Sequence, residues 1–375
     1  MKELPSITFV TRRDATHKPG GDVDLAHAYA QLLRQANIPT NVDYSHLVRP
    51  SECSYIVLFN LDQPSEAYQV ARECVRCKTP YAIYPLHHKR EWTESFLRFG
   101  VEGMQGVAAR FVGYSASHYE TVIGYIRRLV TSRGREMLSL RRCSRMQHFI
   151  LRNADNIAVS CAAEASHIES DLGVELRKVS VVPHYWTSGS NQSMTAASAN
   201  LDTDILCAGR IEPRKNQLQL ARLIQSNGSR RILFVGKKNL RHAAYVAAFD
   251  KTVSACERIQ WLDQVSREAL YSHIAGCKLY INVSWFEVFS LIDLVAIQMR
   301  KRCILSKGSY LCDELSSEPN SELLSFVSPR DLSEVKRLLN RDTHVIHGIA
   351  PVTDAISPSP EVIVTRWKTI FGAKA

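Results

Sequence analysis

Residues 206–216 read LCAGRIEPRKN: an apolar strand that runs through a glycine into a turn carrying Arg210 and Lys215, with a helix pattern starting at Gln217. Two fixed cations at a strand-to-helix turn, beside the free amides of a helix start, are what a bound diphosphate needs. A second stretch, INVSWFEVFSLIDLVAIQ over 281–298, repeats the strand-turn-helix form with Glu287 in the turn. One cationic and one acidic turn on the same sheet point to a phosphate-bearing, hydroxyl-rich ligand, and a nucleotide sugar fits that description.

Outward from these two stretches, short apolar runs alternate with amphipathic segments. In the second half the runs are DILCAGR, RILFVG, IQWL, KLYINV, RCILS and LLSFV, separated by helix patterns at 217–225, 243–250 and 266–276, after Glu287, and at DLSEVKRLL. In the first half, SITFV, TNVDYSHL, SYIVLFNL, PYAIYPL, DNIAVS and KVSVVP read as strands. Helices are expected at DVDLAHAYAQLLRQA, SEAYQVARECVRC and AAEASHIESDLGV, and the basic stretch between His88 and Asp155 reads as more irregular. Strand-helix alternation at this spacing predicts doubly wound parallel sheets with right-handed crossovers. At 375 residues the chain exceeds one core of about 150 residues. The expected organisation is an α/β domain over 1–187, a polar linker over 188–203 (SGSNQSMTAASANLDT from 188), and a second α/β domain over 204–357. A closing helix over 358–375 packs back toward the first domain, with Trp367 and Phe371 as packing residues.

With 45% hydrophobic and 22% charged residues, the chain falls in the soluble globular class rather than the disordered one. No window approaches the roughly 18 apolar residues of a membrane span, and the start reads as a strand rather than a secretory leader. The ten cysteines show one close pair, Cys74 and Cys77, and otherwise lie singly in apolar runs, as buried reduced thiols do. A cytoplasmic protein is expected. The formal net charge of +10 asks for an anionic partner. Between Arg127 and Arg152, eight arginines face only Glu136. A solvated helix face and an anionic membrane surface both explain that segment, the latter placing the protein peripherally on the inner face of the membrane. Nucleic acid is disfavoured, because no zinc-finger, ribonucleoprotein or helix-turn-helix signature accompanies the charge.

Together, GRIEPRKN and SWFEVFSL resemble the GR…K turn and the SxxEGFGL motif of retaining glycosyltransferases of the GT-B fold, family 4. The resemblance implies two Rossmann-like domains facing a central cleft. It further implies sugar transfer from a nucleotide diphosphate-sugar to a saccharide or lipid-linked saccharide acceptor, with no required metal. The setting it implies is surface polysaccharide, lipopolysaccharide or glycoprotein assembly. On the matching positions, Arg210 and Lys215 hold the donor diphosphate and stabilise the charge developing as it leaves, with Arg214 the weaker candidate. Glu287 meets the donor sugar, and Ser290 and Leu291 offer backbone amides to the phosphates. Gly20 and Gly21 approach the donor after the first strand. One of His87 and His88 touches the sugar or acceptor. The mechanism implied is front-face substitution, in which the departing phosphate oxygen takes the acceptor proton.

The chain departs from the family pattern. Val295 stands where a second Glu is expected, Val288 and Ser290 replace two glycines, and Asp293 lies two residues away from Val295, about 200° around the helix. An altered donor specificity or an inverting relative is one alternative, and a degenerate GT-B protein that binds a partner or glycan without turnover is another. Asp22 and Asp24 form a DxD, but they read as a helix cap and a first-turn carboxylate rather than a metal site. Asn216 and Ser160 likewise read as helix caps, and Pro183 and His184 as a hinge turn.

Overall fold

In the first of two units, strand β1 (Ile7–Thr11) sits second in a six-stranded, all-parallel sheet of order β2-β1-β3-β4-β5-β6. Its companions are β2 (Thr40–Tyr44), β3 (Tyr55–Phe59), β4 (Tyr81–Tyr84), β5 (Asn156–Val159) and β6 (Val179–Val181). The second unit repeats the plan with β7 (Ile205–Ala208), β8 (Ile232–Val235), β9 (Ile259–Leu262), β10 (Leu279–Asn282), β11 (Arg302–Ser306) and β12 (Leu324–Val327). Their order is β12-β11-β10-β7-β8-β9, again all parallel. This computed structural model describes residues 6–16, 20–101, 103–130 (125–130 as backbone), 142–185, 203–227, 230–316, 323–340 and 358–372. The polar linker over 188–202, the loop at 17–19, and Arg133, Arg135, Glu136 and Arg141 of the basic segment therefore lie outside the described residues.

Central strands such as YIVLF (55–59), LYIN (279–282) and CILS (303–306) are buried along their length, as parallel strands covered on both faces must be. In the second unit the core joins Ile205, Cys207, Ile232 and Phe234 from the strands to Leu220, Ile224 and Phe249 from the covering helices. The first unit contains residues up to Arg90, 104–187 and the segment from Asp354, while 91–103 groups with the second unit. There Phe96 packs on Trp285 and Phe286, with ring centroids 6.0 and 5.6 Å away.

The helix Pro360–Ile370 belongs to the first unit. Trp367 is fully buried against Phe9 and Tyr29, with centroids 5.2 and 5.3 Å away, and stacks on Phe371. Arg366 donates to the Val181 carbonyl of β6 at 2.7 Å.

The stretch expected to be irregular is instead helical at Arg90–Phe99, Gly103–Phe111, Ala116–Val130 and Cys143–Asn153. In Cys143–Asn153, Cys143, Met146, Gln147, Ile150 and Leu151 form one buried stripe while Arg145 and Arg152 stay exposed. The arginines interrupt the apolar run in sequence, yet at 3.6 residues per turn they fall on the solvent face. Two expected caps also differ. Gly20, not Asp22, caps Gly21–Gln35, because the Asp22 carboxylate turns back to Arg12 at 2.8 Å. Cys161, not Ser160, caps Ala162–Leu172, because both the amide and the hydroxyl of Ser160 donate to Glu164.

Candidate functional site

Strand order in the second unit runs one way from β7 to β9 and the other way from β10 to β12, so the reversal falls between β7 and β10. Ligands on open parallel sheets bind outside the carboxyl ends of strands at such a switch point. The turns that leave those two ends are the two stretches singled out by sequence. After β7, Gly209 adopts φ +145° beside Gly236, where a Cβ would overlap the Gly209 carbonyl. The chain then enters the 3-10 turn Pro213–Lys215, and Asn216 follows at φ +60°. Asn216 occupies the cap position of Gln217–Ser226 without a side-chain cap; its Nδ2 donates to the Pro329 carbonyl at 2.9 Å instead. Gln217 Nε2 donates to the Arg210 carbonyl at 2.8 Å, tying the helix start to the turn.

These turns converge on Glu287. Lys215 Nζ donates to Glu287 Oε1, and Arg214 NH1 lies 3.3 Å from the same oxygen. The other arm of Arg214 reaches Glu212 Oε1 at 3.3 Å, its NH1 also donates to the Phe286 carbonyl at 3.2 Å, and its guanidinium lies over the Phe286 ring. Arg214 is therefore the centre of the cluster, where sequence ranked it behind its neighbours. Arg210 is half-exposed, its Nε 3.9 Å from Glu212 Oε2. Burial pushes the Glu212 carboxyl up, but the charges of Arg214 and Arg210 outweigh it and hold Glu212 below its usual range. Three cations thus face two carboxylates and leave a net positive charge. Sequence reasoning missed Glu212, whose one signal is its place between Arg210 and Arg214.

The Glu287 turn is fixed from both sides. Trp285 N donates to the Arg214 carbonyl at 2.8 Å and Glu287 N to the Gly308 carbonyl at 3.1 Å. A Cβ at Gly308 would overlap the Trp285 carbonyl, so only glycine lets the two turns meet. Ser290 caps Leu291–Gln298, its Oγ accepting from Asp293 N at 3.4 Å, so the amides at Ser290 and Leu291 begin a helix beside Glu287. Val295 is buried in the core. Asp293 is fully buried too. Its Oδ1 accepts from the Tyr280 hydroxyl at 2.8 Å, and both its oxygens accept from Asn282 Nδ2 at 2.9 Å. Burial raises the Asp293 carboxyl to about 6 against the effect of those hydrogen bonds.

In the first unit the structure gathers His87 and His88 around Asp62, at the carboxyl ends of the neighbouring strands β3 and β4. His87 is buried, with Nδ1 2.6 Å from Asp62 Oδ1 and Nε2 3.0 Å from Asp171 Oδ2. Both ring nitrogens are thus engaged with carboxylates, and His88 is the more exposed of the two. Burial pulls the His87 imidazolium down, but the charge of Asp62 and the hydrogen bonds the ring donates to Asp171 and Asp62 override it and raise the group to about 10. Buried Glu164 accepts from the His87 amide at 2.8 Å and completes the cluster. Gly20 and Gly21 follow β1: a Cβ at Gly20 would meet the paired Asp22 and Arg12 side chains, whereas Gly21 has open space. Among the described residues, no three His, Cys, Asp or Glu side chains are grouped to hold a metal ion. No described helix is long and apolar enough to cross a membrane.

No protein-family model and no curated protein sequence matches the chain. Solved structures do. HepE of Anabaena, crystallised with UDP, is 15% identical at a TM-score of 0.63, with 97% of this chain and 98% of HepE covered. Sucrose-phosphate synthase from Thermosynechococcus elongatus is 13% identical at 0.63, covering 98% of this chain and 93% of that one. The lipopolysaccharide outer core galactosyltransferase WaaB is 11% identical at 0.56, covering 99% and 100%. The fold is GT-B. At these identities the likeness establishes that GT-B architecture and no more; HepE has also been crystallised with UDP-glucose, and with UDP and glucose.

Proposed function

We propose that this GT-B protein is a nucleotide-sugar-dependent glycosyltransferase acting with retention of anomeric configuration. The observation that carries the reading is the convergence of Arg214 and Lys215 on Glu287 at the β7/β10 switch point, beside the start of Leu291–Gln298. In the reading, a donor diphosphate draws Lys215 and Arg210 to its oxygens, supported by the amides of Ser290 and Leu291, and Glu287 turns to the sugar hydroxyls. The bond from the anomeric carbon to the phosphate oxygen breaks and the bond to the acceptor oxygen forms on the same face. The acceptor proton passes to the departing phosphate oxygen. Lys215 and Arg210 stabilise the charge that builds there, and no metal is needed.

The acceptor is a saccharide or lipid-linked saccharide of surface polysaccharide, lipopolysaccharide or glycoprotein assembly. HepE, crystallised with UDP and with UDP-glucose, and WaaB, a galactosyltransferase, support this reading. The test is a thermal-shift screen of UDP, GDP and ADP and their sugars. At 100 times Kd a ligand adds about 2.7 kcal/mol to the folded state. Stabilisation by at least one ligand, reduced in Lys215→Ala and Arg210→Ala, is expected. No response to any of them would overturn the assignment, whereas binding without transfer or donor hydrolysis would make the protein a binder. Product anomericity by NMR tests retention.

A further inference from the structure

We propose that Asp293 is a positioning residue for the donor site, setting the turn that brings Glu287 to Lys215 through its hydrogen bonds to β10. The inference rests on the donor reading above for its meaning and on side-chain geometry for its argument.

A fully buried carboxylate is costly, and an apolar side chain of similar volume would serve packing as well or better. What Asp293 does instead is join the first turn of Leu291–Gln298 to the end of β10. It accepts from Tyr280 and from Asn282, and the Asn282 amide is thereby oriented with its oxygen toward the turn. That oxygen accepts from Ser284 N at 3.1 Å and Ser284 Oγ at 2.5 Å. Ser284 opens the turn whose next residues bind Arg214, through Trp285 N and the Phe286 carbonyl, before Glu287 meets Lys215. The chain of contacts runs without a gap from the helix to the acidic end of the site. Each link is directional: Asp293 offers only acceptors and Asn282 must present its donor inward, so the amide cannot flip without losing both ends. The carboxylate of this helix faces inward as a support, while Val295 leaves the helix without a second acidic side chain at the position where GT-B relatives of the resemblance have one.

The test is a reciprocal exchange. Asp293→Asn sets two amide donors against each other, and Asn282→Asp sets two carboxylates together. The double variant Asn282→Asp/Asp293→Asn restores a donor-acceptor pair between the two positions and keeps an acceptor for Tyr280 and for Ser284, at constant composition. Two quantities are read: the labelling rate of Lys215 by acetic anhydride, followed by mass spectrometry, and Kd for UDP, GDP and ADP. Each single variant is expected to label Lys215 about tenfold faster, as loss of one hydrogen-bonded link allows, and to weaken whichever diphosphate binds wild type about tenfold. The double variant returns both toward wild type. Ser284→Ala, which removes one link and leaves the buried pair intact, gives a smaller change in the same direction and serves if a single variant does not fold. Unchanged Lys215 labelling in Asp293→Asn and Ser284→Ala, or no recovery in the exchange, would overturn the proposal. Responsive labelling in a protein that binds none of the three diphosphates would instead reject the donor reading and leave the positioning role standing.

Discussion

His87 makes the sharpest quantitative demand on the structure. Its imidazolium is buried between Asp62 and Asp171 and titrates near 10, against an ordinary 6.5. A cationic group whose folded value is raised adds stability that is fully present below 6.5 and is lost as pH climbs toward 10. At about 1.36 kcal/mol per unit, the whole window is worth about 5 kcal/mol, and the part between pH 7 and 9 about 2.7 kcal/mol. Replacing the residue, as His87→Gln, removes the titration while Asp62 keeps His88 and Asp171 keeps the Arg90 amide. The assay is urea unfolding of both proteins at half-unit steps from pH 6 to 10. Burial raises the buried thiols and phenols, so these groups ionise in the unfolded chain first as pH climbs, and the quantity of interest is therefore the difference between the two proteins. Wild type should be the more stable by several kcal/mol near pH 6.5, with the gap narrowing by about 2.7 kcal/mol between pH 7 and 9. A gap that stays constant across that range would refute the buried imidazolium and with it the account of the Asp62 cluster.

Three further outcomes follow from the second unit. Arg214→Ala strands Glu212 and Glu287 beside fewer cations and should cost about 1–3 kcal/mol in urea unfolding, as loss of charged hydrogen bonds in a partly buried ion cluster does. Gly308→Ala pushes the Trp285 backbone away from its contact with Gly308 and should cost about 1–3 kcal/mol by thermal unfolding, with weaker diphosphate binding by calorimetry. Asp293 titrates near 6, above an unfolded value of about 3.9, so it makes the fold more stable as pH falls from 7 toward 4. Between pH 7 and 4.5 that gain is about 2 kcal/mol at 1.36 kcal/mol per unit, and it should be missing from Asp293→Asn when the two are compared by urea unfolding at those two pH values.

The strands were legible because burial on both faces writes them as unbroken apolar runs, and β7 and β10 end inside the LCAGR and INVSW stretches, at Ala208 and Asn282. The cationic and acidic turns could be paired from sequence because both follow strands of one sheet. The helices between Arg90 and Asn153 were obscured, since a half-buried helix with arginines on its outer face shows no run at all. Glu212 and Arg214 were undervalued because their importance comes from bridging two turns that only the fold brings together. The same holds for His87: Asp62 reaches it from the loop after β3, and Glu164 and Asp171 from the helix Ala162–Leu172, and nothing local to PLHHK announces them. Asp293 was weighed only as a stand-in for the missing second Glu, because its bonds to Tyr280 and Asn282 depend on where the fold sets β10 against the helix.

The helix Pro360–Ile370 carries one more consequence, for synthesis. Trp367 completes an aromatic cluster begun by Phe9 and Tyr29, so the amino-terminal half leaves the ribosome with a hole in its interior and waits through translation of the entire second sheet before it is filled. The half made first is thus the half finished last, and a nascent chain halted before Trp367 would hold a mature second sheet and an immature first one.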